Sequence, residues 1–218
     1  MRFLITVSFF TALLFAIPIS AISHEPIRPL GEKISSGHTL FHMHGCSTYH
    51  SVKGKGGAQT GPDLGRVTLW ASPVLGAAVM WNHVPIMSKT IKEKKLKWPR
   101  FKGKEIGDIF TYLNSLNRRP GTSVVFRANT AHGKSFFDEI GCRTCHGPPF
   151  GGGHYGPDLG EAVNRLGNVN AFSTRMLRHA PMMLERAKRE KIHWPQLNGH
   201  QISSIFAYLE SIAVARKP

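Results

Sequence analysis

Cysteine is scarce in this chain. Three occur in 218 residues, Cys46, Cys142 and Cys145. An odd number cannot close a disulfide framework, so at least one thiol needs another use. Acidic residues are few as well, 13 Asp and Glu against 28 Lys and Arg, for a formal charge of +15. Long apolar runs are nearly absent. The one present, Phe3 to Ile17, has 15 residues, short of the ~20 a spanning helix needs. Strict alternation of apolar and polar residues is rare, which leaves little room for sheet. The 41% hydrophobic content is ordinary for a globular chain and argues against disorder.

The apolar run follows a basic start, Met1-Arg2, and Pro18 breaks it. Ala21 and Ser23 then supply small residues for cleavage after Ser23. This is the pattern of an export signal over residues 1–23, with an uncleaved membrane anchor as the alternative. An exported chain works outside the cytoplasm, in a periplasmic or similar compartment where structural cysteines normally pair. Export, and the lack of a recognition motif, leave nucleic acid without a role.

The odd thiols find a use in Gly141-Cys142-Arg143-Thr144-Cys145-His146. C-x-x-C-H is the haem c attachment signature. Two thiols three residues apart can each add to one vinyl group of a haem edge, and the adjacent imidazole can turn onto the iron. Three rival readings are a redox disulfide, half a zinc site and coincidence. A redox C-x-x-C belongs in a βαβ context that is missing here. A zinc site wants a second ligand pair, and Cys46 stands alone.

The chain also repeats itself at a shift of 96 residues, a pattern that decides domain organisation. Gly37 to Phe41 falls on Gly133 to Phe137, and Gly45-Cys46-Ser47-Thr48-Tyr49-His50 on the attachment motif. Gly61-Pro62-Asp63-Leu64-Gly65 recurs one residue out of register as Gly156-Pro157-Asp158-Leu159-Gly160. His83-Val84-Pro85-Ile86-Met87 falls on His179-Ala180-Pro181-Met182-Met183, and Trp98-Pro99 on Trp194-Pro195. The boundary is expected near Arg118-Arg119-Pro120-Gly121, giving repeats over 24–119 and 120–218. Each repeat reads as all-α: a helix of about three turns before the motif, from near Glu32 and Ala128, then a glycine-rich loop. A second helix is expected after the methionine of H-x-P-x-M, and a third closes the repeat. In the last, Ile106, Ile109, Phe110 and Leu113 form one buried stripe, repeated by Ile202, Ile205, Phe206 and Leu209.

Each half resembles a bacterial class I cytochrome c domain, and the resemblance covers almost all of the chain beyond the leader. It implies two tandem helical domains, each with a haem c. In the family a glycine and an aromatic on the first helix cross an aromatic on the last. Gly37 and Phe41 against Tyr112, and Gly133 and Phe137 against Tyr208, hold those positions. In the second half Cys142 and Cys145 would carry the thioethers and His146 would be the proximal ligand, hydrogen-bonded to the Pro157 carbonyl. In the first, His50 and Pro62 match, but Tyr49 replaces the second cysteine. That half either keeps a haem on the single thioether of Cys46 or has lost it and serves for docking. The sixth ligand should be a thioether on a loop well after the histidine. Met87 and Met183 each lie 37 residues beyond it, and are favoured because each follows a proline by two. Met80 with Met176, Met182 alone, and His83 with His179 are the alternatives. Met43 reads as core filler, and Trp98 and Trp194 as pocket walls whose indoles reach a propionate.

Iron held by His and Met has both axial sites filled, which favours electron transfer over substrate chemistry. The expected function is therefore an electron carrier. The alternatives are a dihaem oxidoreductase on a small substrate, or an electron-accepting subunit with a haem-free docking half. The first repeat carries 15 Lys and Arg against 6 acids, the second 12 against 7. The excess is dense at Lys89, Lys92, Lys94, Lys95, Lys97, Arg100, Lys102 and Lys104. It is either a solvated face or a surface steering an acidic redox partner or an anionic membrane.

Overall fold

The computed structural model describes residues 28–57, 61–67, 72–116 and 126–215. The expected leader and the expected boundary at 118–121 lie outside the described residues. Within them the chain is all-α, and extended pairing is limited to an isolated bridge between Val52 and Lys55. The first half holds α1 (Leu30–Met43), α2 (Cys46–Tyr49), a 3-10 turn (Leu64–Arg66), α3 (Pro73–Glu93) and α4 (Glu105–Ser115). The second holds α5 (Thr130–Glu139), α6 (Cys142–His146), α7 (Leu159–Val163), α8 (Val169–Arg189) and α9 (Gly199–Ala215). The same order of helices thus recurs.

Local chemistry starts several of them. The side chains of Asn129 and Asn168 accept from the backbone N–H of His132 and Ala171, capping α5 and α8. Pro73 opens α3, where its missing N–H costs nothing. After α1 and α5, Gly45 and Gly141 take left-handed φ values of 75° and 90°. A side chain there would be strained, so glycine turns the chain straight into the attachment motif.

The first and last helices of each half cross as α1 on α4 and α5 on α9. A Cβ on Gly37 would run into the Asp108 carbonyl oxygen and lie 2.8 Å from Tyr112 Cβ. One on Gly133 would meet the Ser204 carbonyl oxygen and lie 2.8 Å from Tyr208 Cβ. Phe41 and Tyr112 rings stand 5.9 Å apart, and Phe137 and Tyr208 6.0 Å. Both apolar stripes of the closing helices are buried, as their spacing predicts.

The middle helices depart from expectation. They begin before the methionine, and H-x-P-x-M lies inside α3 and α8 instead of on a loop. A proline inside a helix removes one ladder bond and costs ~3 kcal/mol. Burial offsets it: Trp81 and Val84 on α3, and Leu177, Ala180 and Leu184 on α8, are all buried.

Those faces bind the two halves together. Trp81 and Trp194 stack with ring centroids 4.3 Å apart and planes 25° apart. The Trp194 indole N–H donates to the Trp81 carbonyl at 3.0 Å, and that of Trp98 to the Leu177 carbonyl at 2.9 Å. Trp98 corresponds to Trp194, and Trp81 to Leu177, so the two bonds are related by an approximate two-fold. Trp98 and Trp194 are therefore pegs between the halves, and their N–H groups are already used. Asn82 adds a paired amide contact with the backbone of Leu197, at 2.9 and 2.8 Å. Met43 is 65% exposed and fills no core.

Candidate haem sites

In the second half α6 is a single turn, so Cys142 and Cys145, three residues apart, lie on one side of it. Both thiols are free and half-buried. Burial pushes the Cys142 thiol up to about 12 and also raises Cys145. A redox-active C-x-x-C has a lowered thiol pKa, so these two are poorly suited to that chemistry. Among the described residues, moreover, no three His, Cys, Asp or Glu side chains gather as a metal cluster would require.

The imidazole of His146 is held on two sides. Its Nδ1 lies 2.8 Å from the Pro157 carbonyl oxygen. A carbonyl can only accept, so Nδ1 carries the proton and Nε2 keeps its lone pair. A Cβ on Gly156 would sit 2.6 Å from Cε1 and Nδ1, so glycine is required for the turn to close on the ring. Burial lowers the His146 pKa, while the Pro157 carbonyl and the Asp158 charge oppose it. The net result favours the neutral imidazole a metal needs.

The first half builds the same arrangement. His50 Nδ1 lies 3.0 Å from the Pro62 carbonyl oxygen, and a Cβ on Gly61 would again sit 2.6 Å from the ring. Burial lowers the His50 pKa, the Pro62 carbonyl opposes, and the nearby His83 adds to the depression. Cys46 is pushed up to about 11 by burial. Tyr49, where the second thiol would stand, has a buried hydroxyl with no hydrogen-bond partner among the described residues. The Lys94 ammonium stands 5.6 Å from its ring centroid.

Met183 is half-buried against the hydrophobic core, as are Met80 and Met176. Met176 lines a small void with Ala77 and Trp81 at the contact between the halves. Met87 is half-buried, whereas Met182 is 71% exposed. His83 donates from Nδ1 to the Val79 carbonyl one turn back, at 2.7 Å. The structure thus joins motif, histidine and proline in each half and places the methionines on the central helices. Sequence reading missed Trp81 and gave no role to Asp63 and Asp158. The recurrence of the Gly-Pro-Asp-Leu-Gly segment was the signal for those two.

The donor set fits a haem c. Thiols lie on one side of a turn, an imidazole has its tautomer fixed and its Nε2 free, and glycine leaves room at the ring. No curated protein and no solved structure matches the chain. The family model described as Cytochrome c matches residues 130–213, from the start of α5 to near the end of α9. Over that segment the chain is similar to the cytochrome c family, and the match supports a haem-based electron-transfer protein.

Proposed function

We propose that the chain is an exported dihaem c-type cytochrome passing electrons between redox partners. The observation that carries the reading is the matched pair of anchored imidazoles. His50 and His146 each turn Nδ1 to a proline carbonyl, at 3.0 and 2.8 Å, although only one of the two motifs has both cysteines. Haem c supplies a one-electron iron couple when bound.

Cys142 and Cys145 would hold the second haem covalently, and His146 and Met183 would ligate its iron. Cys46 would hold the first through one thioether, and His50 and Met87 would ligate its iron. Burial of Met176 at the contact between halves, and exposure of Met182, favour Met183 over both. Iron held by a histidine and a methionine would suit electron transfer over substrate chemistry, so the chain carries electrons. Arg186 and Lys188 pair with Glu190 and Glu185 in the second half. The corresponding stretch of the first half, 89–104, holds eight Lys and Arg against the single acid Glu93, which lies 4.0 Å from Lys89, and this excess suits an acidic partner.

Intact mass of the exported protein tests this. The expected value is the chain from His24 onward plus two haems. Cys46→Ala should release one haem into acidified organic solvent, and Met183→Ala should remove one site's thioether–iron near-infrared band. A single haem, with Cys46 free, would make the first half a docking domain and refute the dihaem reading.

A further inference from the structure

We propose that Asp158, and Asp63 in the first half, position the proximal imidazoles and help set the reduction potentials, with the stronger charge effect at the second site. This rests on the haem reading given above. In the second half Asp158 Oδ1 accepts from the backbone N–H of Phe150 at 2.9 Å, Gly160 at 2.8 Å and Glu161 at 3.4 Å. Its Oδ2 accepts from Gly152 at 2.9 Å. In the first, Asp63 Oδ1 accepts from Lys53 and Gly65, both at 2.9 Å, and Oδ2 from Gly54 at 2.6 Å. Each carboxylate thus ties the loop after the histidine to the turn after the proline.

The donors in that loop have unusual backbone. Lys53 and Gly54 have φ of 52° and 77°, and Phe150 and Gly152 have 61° and 82°. Residues other than glycine seldom adopt such values; the successive N–H groups of Lys53 and Gly54 form a nest for an anion, and those of Phe150 and Gly152 converge on one carboxylate in the same way. The aspartate is that anion. The peptide joining Pro157 to Asp158 supplies the carbonyl that faces His146, so anchoring Asp158 on both sides fixes where that carbonyl points. His50 to Pro62 spans 12 residues and His146 to Pro157 spans 11. Loop length therefore does not set the contact. The aspartate network common to both does.

Position and charge act in the same direction. A firm hydrogen bond from Nδ1 makes the imidazole a stronger donor to iron, and an anion behind it stabilises the oxidised metal. Both lower the potential. The two halves differ in what stands beside the carboxylate. Arg66 Nε lies 3.8 Å from Asp63 Oδ2. One residue out of register, the corresponding position in the second half is Glu161, exposed and of opposite sign. Asp158 has no ion-pair partner among the described residues.

Spectroelectrochemistry on the full haem-loaded chain tests the proposal. Asp158→Asn keeps an acceptor at Oδ1 and removes the charge. It should raise the second site's midpoint, shifting the reduction equilibrium roughly threefold, about 30 mV at 59 mV per tenfold for one electron. Asp63→Asn should raise the first site's midpoint less, and Asp158→Glu should restore most of the wild-type value. Glu161→Gln, which changes an exposed side chain and leaves the residue's backbone N–H on Asp158 in place, should move the second midpoint upward by a smaller amount and guards against misfolding of the aspartate variants. Unmoved potentials in both Asp158→Asn and Glu161→Gln, with haem in place, would overturn the proposal. A wild-type second half without haem would instead overturn the functional reading.

Discussion

Replacing Gly133 by alanine probes the crossing that carries the second attachment turn. Two effects oppose each other. Alanine favours a helix over glycine by ~1 kcal/mol. Its Cβ would enter the space of the Ser204 carbonyl oxygen and lie 2.8 Å from Tyr208 Cβ. Overpacking of this kind typically costs 1–3 kcal/mol. The upper end applies, because Ser204 is fully buried and its carbonyl belongs to the backbone of α9, which cannot swing aside as a side chain would. The net loss is then about 2 kcal/mol, or roughly 4–8 °C in Tm if the chain unfolds as one unit of this size. Gly107 is the control: it lies in α4, and a Cβ there meets nothing within 4 Å. Gly107→Ala should gain up to about 1 kcal/mol from propensity alone. Calorimetry of the haem-loaded protein reads both. Equal stability of the two variants would refute the argument from helix approach.

The contact between the halves should be equally sensitive. Trp194→Ala removes the stack on Trp81 and the bond to its carbonyl, at a cost of about 3–5 kcal/mol, and should split one calorimetric transition into two. A single unchanged transition would show that the halves do not depend on this contact. If the basic face steers an acidic redox protein, the electron-transfer rate should fall steeply as added salt shortens the Debye length from ~30 to ~8 Å. Charge reversal at the exposed Lys95 and Lys97 should slow association and leave the midpoints nearly unchanged. A rate indifferent to salt would leave the run as a solvated face.

By itself the sequence determined what depends on near neighbours in the chain. The i, i+3, i+4, i+7 spacing of Ile106, Ile109, Phe110 and Leu113 sets a buried stripe because a helix turns every 3.6 residues. Gly45 and Gly141 end their helices because their left-handed φ values exclude a Cβ. The three-residue cysteine spacing puts two thiols on one side of a turn. Tertiary structure decided the rest. Pro85 and Pro181 read locally as breaks, yet α3 and α8 run through them, because burial between the halves outweighs the lost ladder bonds. The stacking of Trp81 on Trp194 joins residues 113 apart, and no local pattern records such a partner. Asp63 and Asp158 lie beside their prolines in the sequence. Their hydrogen bonds reach back 8 to 10 residues, to Phe150, Lys53 and Gly54, through loops of unequal length. Only the folded backbone brings those N–H groups to one carboxylate.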